Sequence, residues 1–187
     1  MSENKRVSYN GLTFKPFIEA SAIAQRVDEI AATMSSDYNG LRPLVICVLN
    51  GAAVFAVDMF RRLSIDAEIT FIRLKSYEGT SSTGVVKQVV GLSEDIAGRD
   101  IIVVEDIIDT GTTISRLIDD LKAMNPASVK VATLLYKPEA CRHDINPEYV
   151  GFTIPNKFII GYGLDIDGLA RNLPDIWVVD PQSCPDA

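Results

Sequence analysis

Three acids and a run of small hydroxyl residues stand within nine positions of one another: Glu105, Asp106, Asp109, Thr110, Gly111, Thr112 and Thr113. The neighbouring carboxylates of Glu105 and Asp106 can accept hydrogen bonds from a pair of vicinal hydroxyls, and charge-assisted bonds of that kind are worth about 1.5–3 kcal/mol each. Thr110 to Thr113 fall where a helix begins, so their backbone N–H groups lack intrahelical partners and carry partial positive charge. A phosphate suits that place, held by amides and threonine hydroxyls. A ligand with a cis-diol at one end and a phosphate a short distance away is a ribose 5-phosphate. Asp109, three residues past Asp106 on the same loop, can sit over the sugar. A plainer alternative has Asp106 and Asp109 capping a helix and the threonines serving a turn. It leaves unexplained why three like charges crowd beside several aligned donors that call for an anion.

These groups need a strand to deliver them and a helix to start after them. Ile101 to Val104 is an unbroken apolar run, the pattern of a strand buried on both faces of a parallel sheet. From Thr113 the period changes: Ile114, Leu117, Ile118 and Leu121 share one face of a helix, and Arg116, Asp119, Asp120 and Lys122 the other. The acidic loop therefore lies at the carboxyl end of a strand, where open α/β sheets hold their ligands. The rest of the chain fits the same class. A polar arm with a short strand covers 4–17, and a helix from Ile18 carries Ile23, Val27, Ile30 and Met34 on one face. Buried strands are expected over 43–49, 65–74 and 128–136, with an apolar helix over 52–63.

The run Val103 to Thr113, VVEDIIDTGTT, resembles the phosphoribosyl-diphosphate (PRPP) signature of the type I phosphoribosyltransferases, and within them the hypoxanthine-guanine branch. Companion segments follow in the expected order from about Leu41 to Val179. The resemblance implies an α/β fold: a central, mainly parallel twisted sheet flanked by helices, with a small hood and a flexible hairpin lid. One domain would span 1–187, with the lid at about 75–88 and the hood at about 150–187 joined by part of the N-terminal arm.

The resemblance also implies roles. Glu105 and Asp106 would hold the ribose and associate with metal. Asp109 would act at purine N7 as general acid or base, and Asp109 to Thr113 would bind the 5'-phosphate. Asn50 and Gly51 would form the diphosphate loop, with a non-proline cis peptide before Asn50. Many relatives have lysine there, so backbone donors and metal, rather than a side-chain charge, would hold diphosphate in this chain. Read alone, the pair is an ordinary Asn-Gly turn. Ser76 and Tyr77 match the lid pair, in a stretch whose composition also suits a linker or hairpin tip. A lid would keep water from a ribosyl cation-like transition state. Lys137 would point at the exocyclic oxygen of a 6-oxopurine, since an ammonium only donates and so opposes the amino group of adenine. Read alone it is a solvated lysine before Pro138. Phe158 would stack on the purine, Ile159 would bond the base edge through its backbone, Asp165 would hold a second metal, and Arg171 would reach the diphosphate. Strand burial explains Phe158 and Ile159 equally well from pattern alone. His143, the only histidine, reads as a surface residue.

Composition narrows the remaining choices. The 187 residues, 47% hydrophobic and 23% charged, suit a soluble globular domain. The start lacks an apolar leader and no run reaches membrane-spanning length, and Cys47, Cys141 and Cys184 read as reduced thiols, so a cytoplasmic location is expected. The net charge of −7 makes nucleic acid and anionic membranes poor partners. It also makes PRPP an awkward guest, which calls for divalent metal, Mg2+, to escort the diphosphate. The expected reaction transfers 5-phosphoribosyl from PRPP to N9 of hypoxanthine or guanine, giving IMP or GMP and diphosphate. A xanthine-preferring enzyme and a non-catalytic PRPP- or nucleotide-sensing regulator of the same fold are the alternatives. Assembly as a homodimer or homotetramer is expected from the same resemblance.

Overall fold

The computed structural model describes residues 5–74 and 92–183. The lid at about 75–88, with Ser76 and Tyr77, and Cys184 lie outside the described residues. The elements in chain order are β1 (Val7–Tyr9), β2 (Leu12–Ile18), α1 (Ala20–Asp37), β3 (Leu44–Leu49), α2 (Ala53–Phe60), β4 (Glu68–Arg73) and β5 (Asp100–Ile108). They continue with α3 (Thr112–Lys122), β6 (Ser128–Tyr136), β7 (Tyr149–Thr153), β8 (Ile159–Ile160) and β9 (Ile176–Val179), before a final 3-10 turn at Pro181–Ser183.

Five strands form the main sheet in the order β4-β3-β5-β6-β7, and every pairing in it is parallel. The apolar runs of β3 and β5 follow from what covers the sheet. Val45, Cys47, Ile102 and Val104 face α1 and α2 in one core, with Ile23, Val27, Met34, Phe55 and Met59. Leu44, Ile46, Ile101 and Val103 face α3 in another, with Ile114, Leu117 and Leu121. Alternate residues thus serve opposite faces, and both faces are apolar because both are covered.

A second sheet, β1-β2-β9-β8, is antiparallel and stands over the carboxyl ends of the first. Phe14, Ile160, Ala170 and Trp177 form its own small core. This is the expected hood, with two differences from the sequence reading. The N-terminal arm is a full hairpin turning at Asn10 and Gly11, both with positive φ, rather than one short strand. β7 pairs with β6 as the edge of the parallel sheet, so the hood starts after Thr153 and not at Val150.

Connections decide where a ligand can enter. From β3 the chain crosses to β4 on one side, whereas β5 lies on the other side of β3. The loops leaving β3 and β5 therefore diverge, and a crevice opens between them at their carboxyl ends.

Candidate active site

The turn after β3 forms the floor of that crevice. The Leu49–Asn50 peptide is cis, at the position the sequence resemblance marks. A Cβ placed on Gly51 would stand 1.6 Å from Asp106 Oδ2, so only glycine lets this backbone lie against the acid on the neighbouring strand. On its other side, Gly163 of the hood has φ +101, and a Cβ there would stand 2.2 Å from the Gly51 carbonyl oxygen. Core, floor and hood are thus in direct contact through Asp106, Gly51 and Gly163. The Asn50 side chain accepts a hydrogen bond from Arg73 Nη2 at 2.8 Å.

Next to the floor stand the paired acids. Glu105 is buried and Asp106 partly so. Burial, followed by the charge of Asp106, pushes the Glu105 carboxyl well above its ordinary range. Asp106 is also raised, by burial first, although the amide of Ile107 donates to its Oδ1 at 2.9 Å and Arg171 works in the opposite direction. Among the described residues neither acid forms an ion pair. Both are therefore short of positive charge or donors. Arg171 is within electrostatic reach of Asp106 but is bonded elsewhere, to Asp165 Oδ1 and to the Gly163 carbonyl, each at 2.6 Å. Asp165 Oδ2 takes the Gly168 amide at 2.7 Å. No group of three or more His, Cys, Asp or Glu side chains among the described residues forms a ready-made metal cage.

Beyond the acids the chain enters α3 through Gly111, the N-cap residue, whose φ of +79 is left-handed. No side chain caps the helix, so the capping role considered for Asp106 and Asp109 is not taken up. Thr110, Thr112 and Thr113 are exposed. Thr110 Oγ1 lies 3.3 Å from Thr112 Oγ1 and 3.5 Å from its amide. Left-handed glycine followed by uncapped amides is an anion-binding concavity.

The far wall carries the base-recognition candidates. Lys137 is 5% exposed, and its Nζ lies 2.8 Å from Asp109 Oδ2 and 3.3 Å from Asn156 Oδ1. It is not the solvated lysine that Pro138 alone would suggest. Phe158 is 47% exposed, and its ring is tilted against Phe14 with centroids 6.0 Å apart. An aromatic face left open beside a cleft is a stacking platform rather than core. Ile159 is the opposite: its side chain is buried in β8, paired with Val178, which leaves the backbone as its means of reaching a ligand.

A family profile described as "Phosphoribosyl transferase domain" matches residues 18–167. The chain belongs to the phosphoribosyltransferase family. Among curated relatives, the hypoxanthine-guanine phosphoribosyltransferase of Mycobacterium tuberculosis is 39% identical over 181 residues, covering 93% of this chain and 90% of that one. The bifunctional protein TilS/HprT of Listeria monocytogenes is 40% identical over 169 residues, 90% of this chain but 26% of that protein, so the chain spans about a quarter of that relative's length. A crystal structure of a hypoxanthine phosphoribosyltransferase from Staphylococcus aureus superposes with a TM-score of 0.84 at 35% identity, covering 92% of this chain and 94% of that one. The expected type I phosphoribosyltransferase fold is the fold observed.

Three side chains bonded to the candidate residues were not among those named from the sequence as candidates, His143 being exposed as its surface reading expected. Asn156 shares Lys137, Arg73 holds Asn50, and His143 Nε2 lies 3.1 Å from Thr112 Oγ1. Asn156, two residues before Phe158, was within reach of the base-binding segment. Arg73 and His143 come from segments that only the sheet register and a loop crossing bring to the site.

Proposed function

We propose that the chain catalyses purine salvage: transfer of 5-phosphoribosyl from PRPP to N9 of hypoxanthine or guanine, with release of diphosphate and formation of IMP or GMP. One observation carries the reading. Lys137 and Asp109 touch each other at the start of the turn over 110–113, and the same ammonium bonds Asn156, two residues before the exposed Phe158. A 6-oxopurine presents O6 and N7 side by side on one edge. O6 only accepts, which suits the Lys137 ammonium; an N7 proton suits a carboxylate, and the N7 lone pair suits the same group once protonated. The purine would enter between the two groups and exchange their mutual contact for contacts to itself. Asn156 keeps a second acceptor on Lys137 while this happens.

Each residue then has a task. Thr110 to Thr113 hold the 5'-phosphate, and Glu105 and Asp106 take the ribose hydroxyls. The amides at Asn50 and Gly51, with Arg171, bind the diphosphate leaving group. Phe158 stacks on the base, and the backbone at Ile159 bonds its edge. Asp109, placed between base and sugar, takes up or returns the N7 proton, which shifts electron density toward N9 as the bond to ribose forms. Its charge also steadies the positive charge developing on the ribose ring. The buried position of Lys137 favours a single orientation of the base.

The site suits Mg2+. Glu105 and Asp106 are hard oxygen donors left without a cation, and Asp165 is a third carboxylate close by. Mg2+ is ordinarily held by one or two carboxylates with substrate phosphates supplying the rest, so a preformed cage is not required. Bound with PRPP, it would neutralise diphosphate charge as that group departs. A cytoplasmic homodimer or homotetramer completes the reading. No helix among the described residues is long and apolar enough to cross a membrane.

The test is ultraviolet spectroscopy of the protein mixed with PRPP, Mg2+ and hypoxanthine, guanine or xanthine in turn. Absorbance changes with hypoxanthine or guanine are expected. Silence with all three bases would sink the reading, and turnover with xanthine alone would replace the substrate assignment.

A further inference from the structure

His143 lies outside the PRPP motif, yet it is bonded to it. Its Nε2 is 3.1 Å from Thr112 Oγ1, which is 3.3 Å from Thr110 Oγ1. The loop that bears it is fastened to the same turn: the Arg142 amide donates to the Thr110 carbonyl at 2.9 Å. Ile145 Cδ1 and Cys141 Sγ pack over Gly111, so close that a Cβ there would meet them at 2.7 and 2.8 Å. The His143 carbonyl accepts from the Ile145 amide at 2.9 Å and from the Cys141 thiol at 3.4 Å. The backbone at His143 is held from both sides, which sets its exposed ring beside Thr112.

We propose that His143 is a positioning residue for the 5'-phosphate, acting through Thr112. The inference rests on the phosphoribosyl reading of the preceding subsection. A phosphate dianion only accepts, so hydroxyls that serve it must turn their protons toward it. Each hydroxyl has one proton; Thr110 gives its own to Thr112, and Thr112 keeps its own for the phosphate only if its remaining neighbour donates. His143 is that neighbour: Nε2–H donates to Thr112 Oγ1, which also accepts from Thr110 Oγ1, so the one Thr112 proton is left for a phosphate oxygen. With the opposite tautomer, or no imidazole, Thr112 is free to point its proton away. The phosphate then loses the Thr112 hydroxyl as a donor.

Calorimetric titration of the whole protein with IMP and with inosine, which lacks only the phosphate, tests this. His143→Ala is expected to weaken IMP by about 3–10-fold, the weight of one neutral hydrogen bond, and to leave inosine within about 2-fold. In steady state KM for PRPP rises while kcat holds. His143→Gln, whose amide can still donate, recovers most of the IMP affinity. Thr112→Val costs about as much as His143→Ala, and the double variant costs no more than either. Equal loss for IMP and inosine, unchanged IMP binding, or additive losses would overturn the proposal. Wild-type protein that binds IMP no better than inosine would instead overturn the phosphoribosyl reading itself.

Discussion

At the scale of single residues, the proposed reaction gives the proton transfer to Asp109 and the recognition of the base to Lys137. Asp109→Asn keeps a hydrogen-bonding side chain but loses the proton acceptor, so kcat is expected to fall by about 10²–10⁴-fold with a smaller change in KM for PRPP. Near-normal turnover in steady-state assays would remove Asp109 from the acid–base role. Lys137→Ala removes a charged donor to O6 and should raise KM for hypoxanthine by about 10–100-fold, with KM for PRPP little changed. Glu105 has a consequence for stability. Its carboxyl is raised well above 4.5 by burial and by the Asp106 charge, so the folded chain favours the protonated form more than the unfolded chain does. The group's contribution is therefore fully present below about pH 4.5 and is lost as pH rises through the folded value. Glu105→Gln imitates the protonated form. Its melting temperature should exceed that of the wild type at pH 8, by ~2–4 °C for each kcal/mol recovered, and the difference should close below about pH 4.5. An acid kept at this cost in stability is held for binding, so the same variant should bind PRPP poorly.

At the scale of elements, the loop after β3 has no spare volume. Gly51→Ala would drive a methyl group into the Asp106 carboxylate, which can turn aside. The fold should survive with a loss of about 1–3 kcal/mol, while Asp106 leaves its place and kcat/KM for PRPP collapses. Gly163→Ala meets a backbone oxygen and combines that with φ +101, so thermal melts should show the larger loss. How legible these elements are in sequence depends on whether their causes are local. β6 occupies 128–136 as expected, since Asn125-Pro126 and Pro138 bracket an apolar run. β5 and α3 were legible because the hydrophobic period changes between them. The β1–β2 hairpin was not, because its strand LTFKPFI contains a lysine and a proline and owes its state to pairing with β9 at the far end of the chain. β7 was assigned to the hood for the same reason: only its register with β6 places it in the main sheet. Within the site, the acids and the threonine nest lie in one contiguous stretch and could be read. The hydrogen bonds of Arg73, Asn156 and His143 are made across the fold and could not.

At the scale of the whole molecule, an acidic chain is built to bind a more acidic substrate. The net charge of −7 and the uncompensated Glu105 and Asp106 both disfavour PRPP alone. Chelation with EDTA should abolish turnover and added Mg2+ restore it. Melting provides a readout that needs no catalysis: PRPP with Mg2+ should raise the transition by several degrees, since saturation at 100 times Kd adds about 2.7 kcal/mol. PRPP in EDTA should do much less.

The contact of Asp106, Gly51 and Gly163 ties the main sheet to the hood at the candidate site. Arg26, bonded to the carbonyls of Val150 and Gly151, and Tyr162, bonded to Asp58, fasten the surrounding elements. The Gly163 backbone lies against the Gly51 carbonyl with no room for a methyl group, so the hood has little freedom to pivot there. A tilt of the upper sheet would drag the diphosphate floor and the sugar-binding acid along with it. In the proposed reaction the Phe158-bearing sheet and the turn assigned to diphosphate are thus joined, so saturation with one substrate should change the measured affinity for the other.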